Sequence, residues 1–208
     1  MSQKLVVVRG AGDLATGIIY TLYNFGYRVV STELEHPSSI RRTVSLCEAI
    51  YEGTSSVENV AAELCKDPAE INRILSNGNV PILIDPDGEI IWDIKPDIVV
   101  DAILAKNNTG TLIDMAKIVI GVGPGFFAGK DCHAVVETKR GHTLGRVILD
   151  GGAEPNTGIP SAIGGYSIER VIYSPKAGII RNIRKIGDQV KAGEVIAAIG
   201  DTEIKSKI

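Results

Sequence analysis

Val6-Val7-Val8-Arg9-Gly10-Ala11-Gly12-Asp13-Leu14-Ala15-Thr16-Gly17 is the stretch on which the reading of this chain turns. A short apolar run meets two glycines, and an amphipathic segment begins at Asp13. That succession predicts a strand, a tight turn and a helix. Gly10-x-Gly12-x-x-Ala15 fits the glycine fingerprint of a dinucleotide-binding turn. Gly10 permits the sharp bend, Gly12 lets a phosphate approach the backbone, and the small Ala15 lets helix and strand pack closely. The first N–H groups of a helix lack intrahelical partners and carry partial positive charge, so they suit an anion.

Outward from the turn, residues 13–24 predict the helix, with Leu14, Ile18, Ile19 and Leu22 on one buried face and Gly26 as its stop. Residues 27–32 predict a second strand that closes at Glu33, 18 residues beyond Ala15. A dinucleotide fold places an acid about 20 residues past the glycines to hold a ribose hydroxyl. A helix is predicted over 40–50, with Arg41 and Arg42 in its first turn, where cations oppose the helix dipole. Two readings of these arginines stand. They meet the phosphate or carboxylate of a ligand, or they are solvated and paired with Glu33, Glu35 or Glu48.

Residues 57–64 and 68–75 predict two short helices, the second started by Asp67-Pro68. Strands are predicted over 80–84, 97–101 and 115–122, and Pro86-Asp87-Gly88 predicts a turn into a small hairpin at 89–93. This alternation predicts an α/β fold: a Rossmann-like, mostly parallel sheet with helices on both faces. Its ligands would sit at the strand C-terminal ends. Gly121-Val122-Gly123-Pro124-Gly125-Phe126-Phe127-Ala128-Gly129-Lys130 follows one of these strands. It is either a second wall of the site, with Gly123 and Gly125 against the ligand, or a flexible connector.

Past residue 131 the pattern changes to short strands. Residues 132–138 and 143–149 predict a hairpin, 150–165 a long loop, and 170–173, 178–183, 195–199 and 203–207 further strands. The organisation read from this is a Rossmann-like domain over 1–130, a hairpin and loop region over 131–169 and a C-terminal all-β segment over 170–208.

The 208 residues are 44% hydrophobic and 23% charged, with a formal net charge of −3. An acidic balance tells against a nucleic-acid footprint, which needs an excess of Lys and Arg on one face. No run has the roughly 18 apolar residues of a membrane span, and the start does not resemble a signal peptide. Cys47, Cys65 and Cys132 are widely spaced without a C-x-x-C, so neither a disulfide framework nor a thiolate zinc site is expected. A cytoplasmic location is the default.

Cys132-His133 pairs a thiol with an imidazole, as an activated thiolate carrying sulfur or selenium would require. Strand neighbours point to opposite faces, however, and a cysteine is also a small core residue. Cys132 and Asp101, an acid at the end of a predicted central strand, are the catalytic candidates. His133 and Glu137 lie four apart on a strand, spread by about 13 Å, too far for one ion, and no metal site is expected. Arg140 and His142, with His133 and Arg146, form a candidate polar rim for an anionic ligand.

The turn, Ile40-Arg41-Arg42-Thr43-Val44, residues 121–129, Glu137-Thr138-Lys139-Arg140-Gly141-His142-x-Leu144-Gly145-Arg146 and Ala153-Glu154-Pro155-Asn156-Thr157-Gly158-Ile159-Pro160 together resemble the YqeB family. The resemblance spans nearly the whole chain. It implies an accessory protein of selenium-dependent molybdenum hydroxylases, one that helps install or protect a labile selenium or sulfur ligand at the molybdenum cofactor. The tail, Ser174-Pro175-x-Ala177-Gly178-Ile179-Ile180 and Ile186-Gly187-Asp188-Gln189-Val190-Lys191-Ala192-Gly193-Glu194-Val195-Ile196, is similar to the first half of a biotinyl/lipoyl-like barrel-sandwich domain. No Met-Lys-Met is present in Gly200-Asp201-Thr202-Glu203-Ile204-Lys205, which tells against biotinylation or lipoylation. Such a fold would need a second half beyond Ile208 or another surface to pack on.

The leading expectation is a maturation factor that binds a phosphate-bearing nucleotide or molybdopterin-type ligand. Gly10, Ala11, Gly12, Asp13 and Ala15 would form the phosphate turn, Glu33 would hold a hydroxyl, and Arg41 and Arg42 would add charge. NAD(P) and the molybdenum cofactor are the candidate cofactors. The expected partners are a molybdenum hydroxylase or its maturation proteins, with self-association left open. An NAD(P)-dependent oxidoreductase is the alternative, though no Tyr-x-x-x-Lys or comparable hydride-transfer motif accompanies the turn. A non-enzymatic scaffold with a docking tail is the third reading.

Overall fold

The computed structural model describes residues 4–156, 158 and 162–207. Thr157, Ile159 and Pro160 of the fifth family-like stretch lie outside the described residues, as do Ser161 and Ile208. The chain divides into two compact units, Met1–Asn156 and Thr157–Ile208.

The first unit carries nine strands: β1 (Leu5–Arg9), β2 (Arg28–Glu33), β3 (Thr54–Val57), β4 (Val60–Cys65), β5 (Val80–Ile84), β6 (Ile98–Asp101), β7 (Ile118–Val122), β8 (Ala134–Val136) and β9 (Val147–Ile148). They form one sheet in the order β3-β4-β5-β2-β1-β6-β7-β8-β9. Only the outermost strands, β3 and β9, run antiparallel to their neighbours. The predicted Rossmann-like, mostly parallel sheet is thus observed, and the 132–149 hairpin continues it through β8 and β9. β1 sits between β2 and β6, so strand order reverses beside it.

Alternation along β1 builds two cores. Val6 and Val8 face α1 (Asp13–Asn24), packing with Ala15, Ile19, Leu46 and Ala49. Val7 faces α3 (Ile71–Ser76) and α4 (Ile90–Ile94), packing with Ile71, Ile74, Ile90 and Ile91. Burying each valine, leucine or isoleucine side chain among these contributes about 1.5–3 kcal/mol. The α1 face is shifted from the predicted one: Ala15, Thr16 and Ile19 are buried, whereas Leu14 is 51% exposed.

Four predicted elements differ. The 40–50 helix is two 3-10 turns, Arg42–Val44 and Leu46–Glu48, followed by α2 (Ala49–Glu52). Ser45 breaks it: its backbone is extended, and its hydroxyl donates to Arg41 O at 2.7 Å. Residues 57–64 are no helix but the β3–β4 hairpin, turned at Glu58 with φ +52°, and β4 gains a parallel partner in β5. Residues 89–93 are no hairpin but the start of α4, because Asp85 accepts the N–H groups of Glu89 and Ile90, each at 3.0 Å. The predicted strand at 170–173 does not form: a 3-10 turn covers Ile168–Arg170, and residues 171–173 are irregular. The Asp67-Pro68 start is as expected, the Asp67 carboxylate accepting Ala69 N–H at 2.9 Å before α3.

The second unit carries a three-stranded antiparallel sheet of β10 (Ile180–Asn182), β11 (Val195–Ile199) and β12 (Thr202–Lys205). Ala197, Ile199 and Ile204 are its buried core. Among the described residues no barrel is closed.

Candidate functional site

The Gly10–Gly12 turn leaves the C-terminal end of β1 and is fastened on every side but one. Gly10 adopts φ +95°, and a Cβ there would lie 3.1 Å from Ala102 O. Its N–H donates to Thr32 O at 2.8 Å, and its carbonyl accepts the Ser31 hydroxyl at 3.0 Å. Ala11 O accepts Cys47 N–H at 2.9 Å and the Thr16 hydroxyl at 3.1 Å. Gly12 is the exception. Its φ is −64°, which any residue tolerates, and nothing lies within 4 Å of where its Cβ would be. No side chain caps α1 there. The helix N-terminus is thus uncapped and its backbone approachable, as an anion site requires.

The charges around the turn are partly paired. Arg41 Nη2 lies 2.7 Å from Asp13 Oδ2, with the Arg41 side chain 69% exposed. Such an exposed pair is worth only about 0–1 kcal/mol, so an arriving phosphate can compete for the guanidinium. Arg42 reaches Glu48 at 3.7 Å. Glu33 accepts Ala11 N–H through Oε2 and Leu34 N–H through Oε1, each at 2.8 Å. It therefore braces the turn as well as standing where a ribose-binding acid would be. Cys47 beneath the turn is buried, and desolvation, with Glu33 and Glu48 adding negative charge, pushes its thiol up to about 11.

Sequence reasoning missed Arg9. Its side chain is fully buried. Nη1 donates to Asp101 Oδ2 at 3.1 Å and Thr111 Oγ1 at 2.6 Å, and Nη2 to Pro86 O at 3.0 Å and Thr109 O at 3.1 Å. Asp101, expected as a catalytic acid, also accepts the Thr111 hydroxyl at 2.6 Å and Ile103 N–H at 3.1 Å. An arginine ending an otherwise apolar central strand needs a buried counter-ion. The matching acid at the end of another strand was the available signal.

The second glycine-rich loop is packed rather than open. A Cβ on Gly121 would lie 2.4 Å from the buried Phe126 ring, and one on Gly125 would lie 2.8 Å from Asn107 backbone. On Gly123 it would lie 3.0 Å from both Leu104 Cδ2 and Thr138 Oγ1. Cys132 is fully buried, and desolvation raises its pKa. His133 lies on the other side of the strand, exposed, with Nδ1 accepting Val119 N–H at 3.0 Å. The two do not form a thiol–imidazole pair. Burial alone would raise the Glu137 carboxyl. The N–H groups of Glu154, Lys139 and Thr138 and the Lys139 charge outweigh it and hold the carboxyl below its usual range. Glu137 so ties residues 138–139 to Glu154, while Arg140 and His142 stand exposed beyond it. Among the described residues no three His, Cys, Asp or Glu side chains are grouped to hold a metal.

A cavity of about 370 Å³ at the ends of β4 and β5 is lined by Cys65, Leu83, Asp85, Ile90 and Asp93 among others, none of them a predicted site residue. Its Cys65, Leu83 and Ile90 belong to the α3/α4 core, whereas Ala11 and Ala15 of the turn belong to the α1 core. Asp85 has both oxygens on α4 N–H groups. The turn, with its uncapped helix end, is the stronger candidate.

Sheet, strand-order reversal and glycine turn define a Rossmann-like α/β protein with an uncapped helix N-terminus at the end of β1. Among described residues no helix is long and apolar enough to cross a membrane. The chain is similar to the uncharacterized protein YqeB of Escherichia coli (strain K12), 50% identical over 206 residues, or 99% of this chain. The chain spans 38% of that relative's length. No family model matches the chain, and no solved structure does.

Proposed function

We propose that this protein is a cytoplasmic accessory factor for selenium-dependent molybdenum hydroxylases, and that it binds a phosphate-bearing nucleotide or molybdopterin-type ligand at the Gly10–Gly12 turn. The observation that carries the ligand reading is Gly12: an open, unstrained position at the uncapped start of a 12-residue helix. Gly12 and the N–H groups after it receive the phosphate, and Arg41 leaves its exposed pair with Asp13 to join it. Glu33 keeps the turn in shape and offers its carboxylate to a ligand hydroxyl. The maturation role rests on the YqeB-like motifs, and its partners are a molybdenum hydroxylase or that enzyme's maturation proteins. Of the other expected site residues, Arg140 and His142 stand exposed on the 137–146 segment, and Gly123 and Gly125 are packed against Leu104, Thr138 and Asn107 and carry no ligand contact in this reading.

Thermal unfolding of the purified chain with NAD(H), NADP(H), CTP or the molybdenum cofactor tests the ligand reading. A ligand at 100 times its Kd adds about 2.7 kcal/mol. Gly12→Val should abolish that gain while costing under about 1 kcal/mol as a poorer cap. No shift with any of them would sink the reading. The pathway is tested by maturing a selenium-dependent molybdenum hydroxylase with and without the protein. Selenium content and activity should both fall without it, and full selenium content in its absence would refute the role.

A further inference from the structure

We propose that the large sheet, on its α1 face over β7, β8 and β9, docks an acidic amphipathic helix from a partner protein. The strand register shows which residues form this face. Ile118 and Ile120 of β7 continue the rows of Ile98 and Val100 on β6, which pack with the α1 core. Ile120 pairs with Ala134, Val122 with Val136, and Val136 with Val147. Side chains of paired residues share a face, so this one is apolar across three strands.

The two faces of these strands are covered unequally. On the opposite face Val119 and Val135 are fully buried, packed with Met115, Phe126 and Cys132. On the α1 face the cover thins outward. Val122 is buried and Ile120, Ala134 and Val136 are half-buried, but Ile118 and Val147 are 43% and 59% exposed. Parallel strands ordinarily have both faces covered, and helices are the usual cover. Three strands span about 10 Å, the width of a single helix.

Charge selects the occupant. Residues 138–149, which join β8 to β9 and include β9, contain Lys139, Arg140, His142 and Arg146 and no acid. Lys139 is paired with Glu154. Arg140 and Arg146 are exposed, and among the described residues neither side chain has a hydrogen-bond or ion-pair partner. The first unit's other arginines, Arg9, Arg28, Arg41, Arg42 and Arg73, all have one. An apolar strip with unpaired cations at its border fits a helix that carries Glu or Asp beside an apolar stripe. The chain's own helices do not match. α1 has a single acid, Asp13, already paired with Arg41. The other α-helices have four to six residues, and among the described residues the second unit has none.

Fluorescence anisotropy with the whole chain tests the surface. The probe is a labelled synthetic peptide of roughly 18 residues, long enough to hold a helix, with a leucine stripe at helical spacing and Glu elsewhere. Its controls are the same peptide with Lys for Glu and a scrambled peptide without the stripe. The acidic peptide should bind saturably, and both controls at least about tenfold more weakly. Val147→Asp, and Arg140→Glu with Arg146→Glu, should each weaken binding about tenfold or more. Val147→Thr keeps the branched shape that strands favour and should weaken it by a smaller factor. No binding by the acidic peptide, equal binding by either control, or binding that these variants leave unchanged would overturn the proposal. Sedimentation that showed a dimer of the chain, dissolved by Val147→Asp, would place a second copy on this face and overturn it as well. Neither the surface nor its test involves the Gly10–Gly12 turn, so failure here leaves the ligand reading untouched.

Discussion

The first unit holds two glycine-rich loops, each leaving the C-terminal end of a parallel strand, and they use glycine for different reasons. In the second loop Gly121 and Gly125 are glycines because Phe126 and Asn107 occupy the space a side chain would need. In the first loop Gly10 is of that kind, pressed on Ala102, but Gly12 is not: it is unstrained and faces nothing. A glycine that packing does not require is a candidate for a contact with something that arrives later. A glycine count alone cannot draw that distinction, because both loops satisfy it.

The contrast breaks most severely at the clamp behind both loops. Asp101→Ala leaves Arg9 buried without its counter-ion and should cost about 3–5 kcal/mol in urea unfolding. Gly125→Ala, at φ +112° and against backbone, should cost about 2–3 kcal/mol by the same measurement. Gly12→Val, with its cost under about 1 kcal/mol, sharpens the comparison from the other side. A large loss there would place Gly12 with the packing glycines.

Two smaller effects test the surroundings. Glu137 has its carboxyl pKa lowered in the folded state, so its contribution is complete above the unfolded value near about 4.3. That contribution is lost as pH falls through the folded value. Glu137→Gln should flatten the acid side of the stability–pH profile below about pH 4, and an unchanged profile would remove Glu137 from that account. The thiols of Cys47 and Cys65, both pushed up to about 11, and the raised thiol of buried Cys132 should resist a thiol reagent in native buffer and react once denaturant is added. Fast native labelling of Cys132 would return it to the catalytic candidates.

Much of the fold was legible where one residue pattern had one physical meaning. The strand–turn–helix at the start, the Asp67-Pro68 helix start and the strands ending at Asp101 and Val122 follow from apolar periodicity and capping. The misread segments were those where distant partners outweighed local preference. Residues 57–64 have helical spacing but take an open place beside β5. Residues 89–93 are rich in strand-forming isoleucine but start a helix, because Asp85 supplies the cap and Ile90 and Ile91 find a core. At the site, the turn, Glu33 and Arg41 were legible. The roles of Arg9, Asp101 and Thr111 were not, since their partners lie about ninety to a hundred residues apart.

The sequence by itself determined the parallel α/β class, the glycine turn at the end of the first strand and the acid at the end of the second. Short-range periodicity and backbone geometry suffice for those. Only the tertiary structure decided which glycine faces free space and which faces a neighbour. It also decided that Asp101 is bound to Arg9 and that Gly10 is pressed against Ala102. Each of these depends on which remote segment fills the next few ångströms, and packing settles that only when the whole sheet is assembled.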